Sequence, residues 1–322
     1  MQAPIVTLTM NPALDVSSAV DRVVPERKLR CGPSTLHPGG GGINVARAIR
    51  NLGGSARAFY PLGGPDGEVY RGLAKESGIE GEVIAIDGNT RENFTISETS
   101  SGRQYRFVLP GPRLSEAEWQ ACLSAVADRL PRGGYLIASG SLPPGVPEDF
   151  YAMLARVAAD SDARVVVDAS GPPLTAALDE GVFLVKPSRE ELSELVAADR
   201  ELGVGDLVEA ARSLVRGDRA EVVALTLGAE GALLISRTDV MRLPTPRVAV
   251  VSAVGAGDAF LAGLVLRLAV GDPMGTAFRT AVAAGTATAM MPATELCRAE
   301  DVARLEGEIR RLIADTPGGM LS

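Results

Sequence analysis

The feature that most constrains this chain is a repeated switch of hydrophobic period. Short runs rich in branched apolar residues alternate with longer stretches of helical spacing. Residues 5–9, 56–61, 135–138, 164–168, 183–185 and 221–225 read as short buried strands. Residues 44–52, 66–77, 148–159, 190–197 and 206–216 read as helices between them. A helix after each strand brings the chain back to run in the same direction, so the fold class is α/β: a mostly parallel, Rossmann-like sheet flanked by helices. Beyond about residue 254 the chain becomes helical and rich in Ala and Gly, which permits close helix packing.

Two segments interrupt the rhythm. Residues 16–37 and 91–109 lack a long helical pattern, and within the second a polar Ser-Ser-Gly turn separates two strand-like runs, as in a hairpin. Both segments are expected to form a small β-sheet lid over the main sheet. The 322 residues suffice for one domain carrying such an insertion, so 1–322 reads as a single domain.

Composition excludes several functions. A net charge of −8 argues against nucleic acid or an anionic membrane as partner, and requires local clusters of cations if the substrates are phosphates. No apolar run reaches the ~18 residues of a membrane span. The N-terminus enters a strand pattern with no leader-like segment, so a cytoplasmic location is expected. Cys31, Cys122 and Cys297 lie far apart without metal-ligand spacing, and read as reduced thiols. The single histidine, His37, is followed by a proline and four glycines, which suggests a loop and leaves little support for histidine-based catalysis.

Two glycine-rich segments carry chemistry. Val254-Gly255-Ala256-Gly257-Asp258-Ala259-Phe260 follows a strand-like stretch at 247–251 and opens a helix pattern. Its backbone N–H groups and helix dipole suit an anion. Asp258 is then either a base that takes a proton from an attacking hydroxyl or only a favourable first-turn acid. Pro38, the four glycines 39–42, Ile43 and Asn44 form either a ligand cradle, with Asn44 bonding sugar hydroxyls, or a flexible turn with a helix cap. The chain has no GxxxxGK[ST] loop, no GxGxxG in its first βαβ unit and no protein-kinase signature.

Taken in order, TLTMNPALD at 7–15, PERKLRC at 25–31, the glycine run leading to Arg47, GSLPPG at 140–145, Lys186-Pro187, Thr226-Leu227-Gly228 and the Gly255-to-Asp258 loop resemble the PfkB/ribokinase carbohydrate kinases. Within that family the chain is most similar to the minor, PfkB-type 6-phosphofructokinases. The resemblance implies a ribokinase-like fold and ATP-dependent phosphorylation of fructose 6-phosphate at its 1-hydroxyl. Fructose 1-phosphate or tagatose 6-phosphate kinases are the alternatives, and a non-catalytic sugar-phosphate sensor is the reading from another class.

The resemblance also implies residue roles. Asp258 is the general base, and Gly255, Ala256 and Gly257 form the anion hole. Asp15, at the end of the first strand, holds sugar hydroxyls with Asn44, Gly40 and Gly41; Gly39, Ser139, Lys28 and Arg91 complete the substrate side. Thr226, Gly228 and Gly231 meet the nucleotide, with Lys186 and Ser188 nearer its phosphates. Glu191 is linked to magnesium through water. Magnesium accompanies ATP as co-substrate, a monovalent cation is a further candidate, and the lid pairs two copies into a homodimer. Lys28, Arg30, Arg91, Arg103 and Arg106 all fall in the lid segments, as a grip for a sugar phosphate or as solvated strand-face charges. Ser188 stands where the family has Asn in Asn-x-x-Glu, and Ala253 where a polar residue is common. Both put a contact in doubt.

Overall fold

The computed structural model describes residues 2–314. The chain runs from β1 (Ile5–Leu8) through β2 (Ala13–Val20) and β3 (Thr35–Gly39) to α1 (Gly41–Asn51), β4 (Arg57–Leu62), α2 (Gly64–Glu76) and β5 (Glu80–Ala85). The strands β6 (Arg91–Glu98) and β7 (Gln104–Val108) form a hairpin ahead of α3 (Glu116–Arg129). Next come β8 (Tyr135–Ser139), α4 (Phe150–Asp160), β9 (Arg164–Asp168), α5 (Gly171–Glu180), β10 (Val182–Val185), α6 (Arg189–Leu195), α7 (Val204–Arg216) and β11 (Ala220–Thr226). Two further strands, β12 (Ala232–Ser236) and β13 (Val240–Leu243), precede α8 (Ala256–Ala269), α9 (Met274–Ala289) and α10 (Ala299–Ala314).

The central sheet has the order β13-β12-β11-β10-β9-β8-β1-β4-β5. It is parallel from β11 to β5, and at the other edge β12 alone runs in reverse, pairing antiparallel with both β11 and β13. Side chains alternate across the pleat, so each strand feeds two cores. Leu8 and Val167 pack beneath α3, α4, α5 and α7, against Val126, Leu154, Leu178 and Leu214. Ile5 and Val166 face α1, α8, α9 and α10, against Ile49, Phe260, Phe278 and Leu305. The Ala/Gly-rich C-terminal sequence packs as expected: a Cβ on Gly263 would lie 3.0 Å from the Thr280 carbonyl oxygen. Sheet and helices thus follow the alternation in the sequence, while the edge strands β5, β12 and β13 and the helices α3 and α5 escaped it.

The second sheet, β3-β2-β6-β7, the lid sheet, is a small separate sheet formed by the segments expected to make the lid. Its central pair β2–β6 is parallel and both outer pairs are antiparallel. It begins at Ala13 and takes in Gly39, so both ends of the 16–37 boundary move outward. Two expectations change with it. Asp15 belongs to the lid strand β2 rather than to the end of β1, and His37 is a strand residue paired with Asp15 rather than a loop residue. The strand expected at 247–251 does not form: Val251 gives its N–H to the Ala289 carbonyl at the end of α9 (2.8 Å) rather than to a strand, and Val250 and Val251 are exposed. Cys122 and Cys297 are buried, whereas Cys31 is exposed between β2 and β3. Among the described residues no helix is long and apolar enough to cross a membrane.

Candidate active site

Parallel strands gather ligands beyond their carboxyl ends. At that edge lie Ser139 ending β8, Asp168 ending β9, Lys186 just past β10 and Thr226 ending β11. The N-termini of α1 and α8 point into the same region, and the lid closes it from the side of β2.

The α8 terminus is built by Gly255, whose φ of 76° is left-handed and favours glycine. Ala256 donates its N–H to the Ala253 carbonyl (3.3 Å), leaving the N–H groups of Gly255 and Gly257, among the described residues, without a protein acceptor. A Cβ on Gly257 would lie 3.3 Å from Lys186 Nζ, so an ammonium stands over the helix end. Lys186 is buried and pairs with Asp168 (Nζ–Oδ1 3.1 Å). Burial alone would pull this ammonium down, but Asp168, with Asp258 and Glu191 behind it, reverses the sign and holds it above the usual lysine value.

Asp258 accepts a hydrogen bond from Asn44 Nδ2 (2.9 Å). Burial pushes its carboxyl up to about 7, and the charge of Asp168 adds to the push. The Asn44 bond and Lys186 pull the other way. Asn44 is buried in the first turn of α1, held there because the glycines before it admit no side chain. A Cβ on Gly39 would fall 2.0 Å from Asp15 Oδ2, one on Gly41 2.1 Å from Ser139 Oγ, and Gly40 has φ 120°. The glycine run is therefore closely packed against Asp15, Thr9 and Ser139 rather than a flexible turn. Asp15 accepts from Asn93 Nδ2 (3.0 Å) and its carboxyl is raised by burial, against that bond and against Arg91, Arg106 and Arg47.

Of the residues expected at the nucleotide, Thr226, Gly228 and Gly231 line one cleft of about 640 Å³ together with Ala256, Gly257 and Phe260 among others, while Lys186 lies beside it at Gly257. Its turn is pinned by the bond from Leu227 N–H to Gly231 O (2.9 Å) and by Thr245 Oγ1 donating to Gly228 O (3.0 Å). Ser188 and Glu191 are placed differently. They form a capping box at the start of α6: Ser188 Oγ accepts from Glu191 N–H (3.2 Å) and Ser188 N–H donates to Glu191 Oε2 (2.7 Å). Serine replaces the asparagine without loss of the helix start.

The lid cations divide. Arg91 donates from Nη1 to Leu109 O (2.8 Å) and from Nη2 to Asn11 O (2.9 Å), bracing the lid base. Lys28, Arg30, Arg103 and Arg106 are exposed. Arg106 acts on Asp15 electrostatically, whereas no contact brings Lys28 to the site within one chain. Sequence reasoning missed Asp168, which ends a strand whose run reads as core, and Arg47, which reads as an ordinary helix residue. Only their tertiary neighbours mark them.

With this geometry in place, comparison with known proteins is informative. The chain belongs to the pfkB family of carbohydrate kinases, whose model matches residues 3–300. It is 42% identical over 300 residues to ATP-dependent 6-phosphofructokinase isozyme 2 of Mycobacterium tuberculosis (strain ATCC 25618 / H37Rv), covering 93% of this chain and 88% of that one. It is 39% identical over 309 residues to ATP-dependent 6-phosphofructokinase isozyme 2 of Escherichia coli K12, covering 95% and 99%. The solved phosphofructokinase-2 of Escherichia coli in complex with substrates and products superposes with a TM-score of 0.91 at 38% identity, covering 96% of this chain and all of that one.

Proposed function

We propose that this chain transfers the γ-phosphoryl group of MgATP to the 1-hydroxyl of fructose 6-phosphate, giving fructose 1,6-bisphosphate and ADP, in the cytoplasm. The observation that carries the reading is Asp258: a carboxylate with a pKa about 7, set between the free N–H groups of the α8 terminus and the sugar cradle. The ionised Asp258 accepts the proton of the hydroxyl as its oxygen bonds to phosphorus and the bond to the ADP oxygen breaks. Lys186 and the N–H groups of Gly255 and Gly257 meet the charge on the transferred group. Asp15, Asn44 and the cradle glycines orient the sugar. Arg106, whose charge reaches Asp15 at the sugar cradle, grips its phosphate, since an exposed lid cation that forms no ion pair among the described residues suits a dianion.

The donor set suits magnesium carried in by the nucleotide. Among the described residues no three acidic, histidine or cysteine side chains cluster as a metal cage, and a metal bound mainly by phosphates and water needs only one or two carboxylates. Glu191 spends Oε2 on the α6 cap, which leaves Oε1 to hold a metal-bound water. Bound there, magnesium neutralises phosphate charge.

The lid supports a homodimer. By register its outer face carries Val16, Leu36, Phe94, Ile96 and Phe107, an apolar surface on which Phe107 is exposed. A monomer at micromolar concentration in sedimentation would overturn that part. The reaction is tested by kcat/KM with MgATP for fructose 6-phosphate, fructose 1-phosphate, tagatose 6-phosphate, fructose and ribose. Preference for fructose 6-phosphate is expected. Preference for another sugar phosphate changes the substrate and keeps the mechanism, activity on free sugars alone removes the phosphate grip, and no turnover with retained binding supports a sensor.

A further inference from the structure

Arg47 borders the site on α1 and, among the described residues, forms no ion pair. Its Nη1 donates to Asn44 Oδ1 (3.3 Å) and to the Pro38 carbonyl oxygen (3.4 Å) of the lid strand β3. Burial lowers the guanidinium pKa, while Tyr70, Asp15, Asp258 and Glu295 raise it. His37, across β3, feels the guanidinium too. The chemistry of the amide turns this placement into a constraint. A guanidinium only donates, so the end of Asn44 facing Arg47 must be its oxygen. The other end, facing Asp258 Oδ2 at 2.9 Å, must then be the NH2 group. A donor at that point favours the ionised carboxylate. A flipped amide would present an oxygen instead, and would favour the protonated acid, which cannot serve as a base.

We propose that Arg47 is a positioning residue for the reaction: by holding the oxygen of Asn44 it fixes the amide so that its nitrogen faces Asp258 and keeps the base ionised. This rests on the reading of Asp258 as the base, but its test does not depend on which sugar is the substrate. The other charged groups that face Asp258 are Asp168 from the end of β9, Lys186 from the end of β10 and Asp15 from β2; all remain in the variants below. Arg47 contributes in two ways, through its own charge and through the amide, and both act in the same direction.

The experiment is a titration of the Asp258 carboxyl carbon by 13C NMR in the ligand-free protein, its resonance assigned by its absence in Asp258→Asn, with kcat measured against pH in parallel. In Arg47→Met the titration is expected to move up by ~1 pH unit. The loss in kcat is then about tenfold at pH 6 and within about threefold at pH 9, because high pH restores the carboxylate without help. Arg47→Lys, which keeps a cation and donors but replaces the planar guanidinium fork by a shorter, freely rotating ammonium, is expected to shift the titration upward by a smaller amount. An unmoved carboxyl with a loss in kcat that is equal at all pH values overturns the proposal and leaves Arg47 as a structural brace. If Arg47→Met does not fold, Arg47→Lys decides alone: an upward shift supports the role and an unmoved carboxyl overturns it. Failure of wild-type protein to phosphorylate fructose 6-phosphate would remove the proposed function and leave the carboxyl titration standing.

Discussion

The two ends of the cleft are made in different ways. At the α8 end, Asp258, Lys186 and Asp168 are fixed by the core itself: each follows a buried strand or opens a buried helix, and Lys186 already has its ion pair. At the lid end, Lys28, Arg30, Arg103 and Arg106 are exposed on a separate four-stranded sheet. The difference teaches where chemistry and selection reside. Charge that must stabilise a transition state is prearranged in a partly desolvated pocket, where reorganisation costs least. Cations proposed to recognise a substrate are held on an exposed, separate sheet, where they become desolvated only as a substrate covers them.

The sharpest way to break the comparison is at the base. Asp258→Asn keeps the shape and the Asn44 contact but removes the proton acceptor, so kcat should fall by roughly 10³-fold. Nucleotide affinity measured by calorimetry should hold within a few-fold. A variant with most of its turnover would show that the core end only binds. The wild-type kcat should rise through an acidic limb near pH 7, where Asp258 ionises.

Lys186→Met comes next, with kcat lowered by about 10²-fold. It also strands Asp168 beside the site, and breaking a buried pair costs about 3 kcal/mol, so thermal denaturation should show a lower Tm alongside the lost turnover. Arg106→Ala belongs to the other end and should behave differently. KM for fructose 6-phosphate should rise by roughly tenfold while kcat changes little, because binding lost equally in ground and transition states appears in KM. A fall in kcat without a change in KM would erase the distinction between the two ends.

The same contrast governs what could be read in the sequence. The Gly255-to-Asp258 loop was legible because its function is local: an N-terminus, two glycines and one acid suffice to state it. The alternation fixed the parallel sheet for a similar reason, since each strand and helix announces itself over a few residues. Asp15 was misplaced because the chain passes from β1 to the lid in only four residues, and nothing local marks the change of sheet. Residues 247–251 look like a strand because branched side chains fit a pleat, but a strand also needs a ladder for its N–H groups, and that of Val251 goes to the end of α9. Asp168 and Arg47 act only through partners far away in sequence, Lys186 for one and Asp258, by way of Asn44, for the other. Edge strands β12 and β13 were missed because a short antiparallel hairpin carries no helix signal to frame it.

The smallest expected effect tests whether the core end is maintained at a cost. In the unfolded chain Asp258 titrates near 3.8, and in the folded protein burial raises it to about 7. The folded state therefore holds a proton that the unfolded state has released between these values. The sign follows: this group's contribution to stability is fully present below about 3.8 and is lost as pH rises through about 7. Asparagine never ionises, so Asp258→Asn escapes the loss. Its Tm should match that of the wild type near pH 4 and exceed it by a few degrees at pH 8, with the gain appearing between those values. An equal Tm at both pH values would mean that Asn44 and Lys186 compensate the buried charge in full, and the base would then be an unstrained part of the fold. A gain confined to neutral and alkaline pH would identify Asp258 as a residue kept for its chemistry against the stability of the domain.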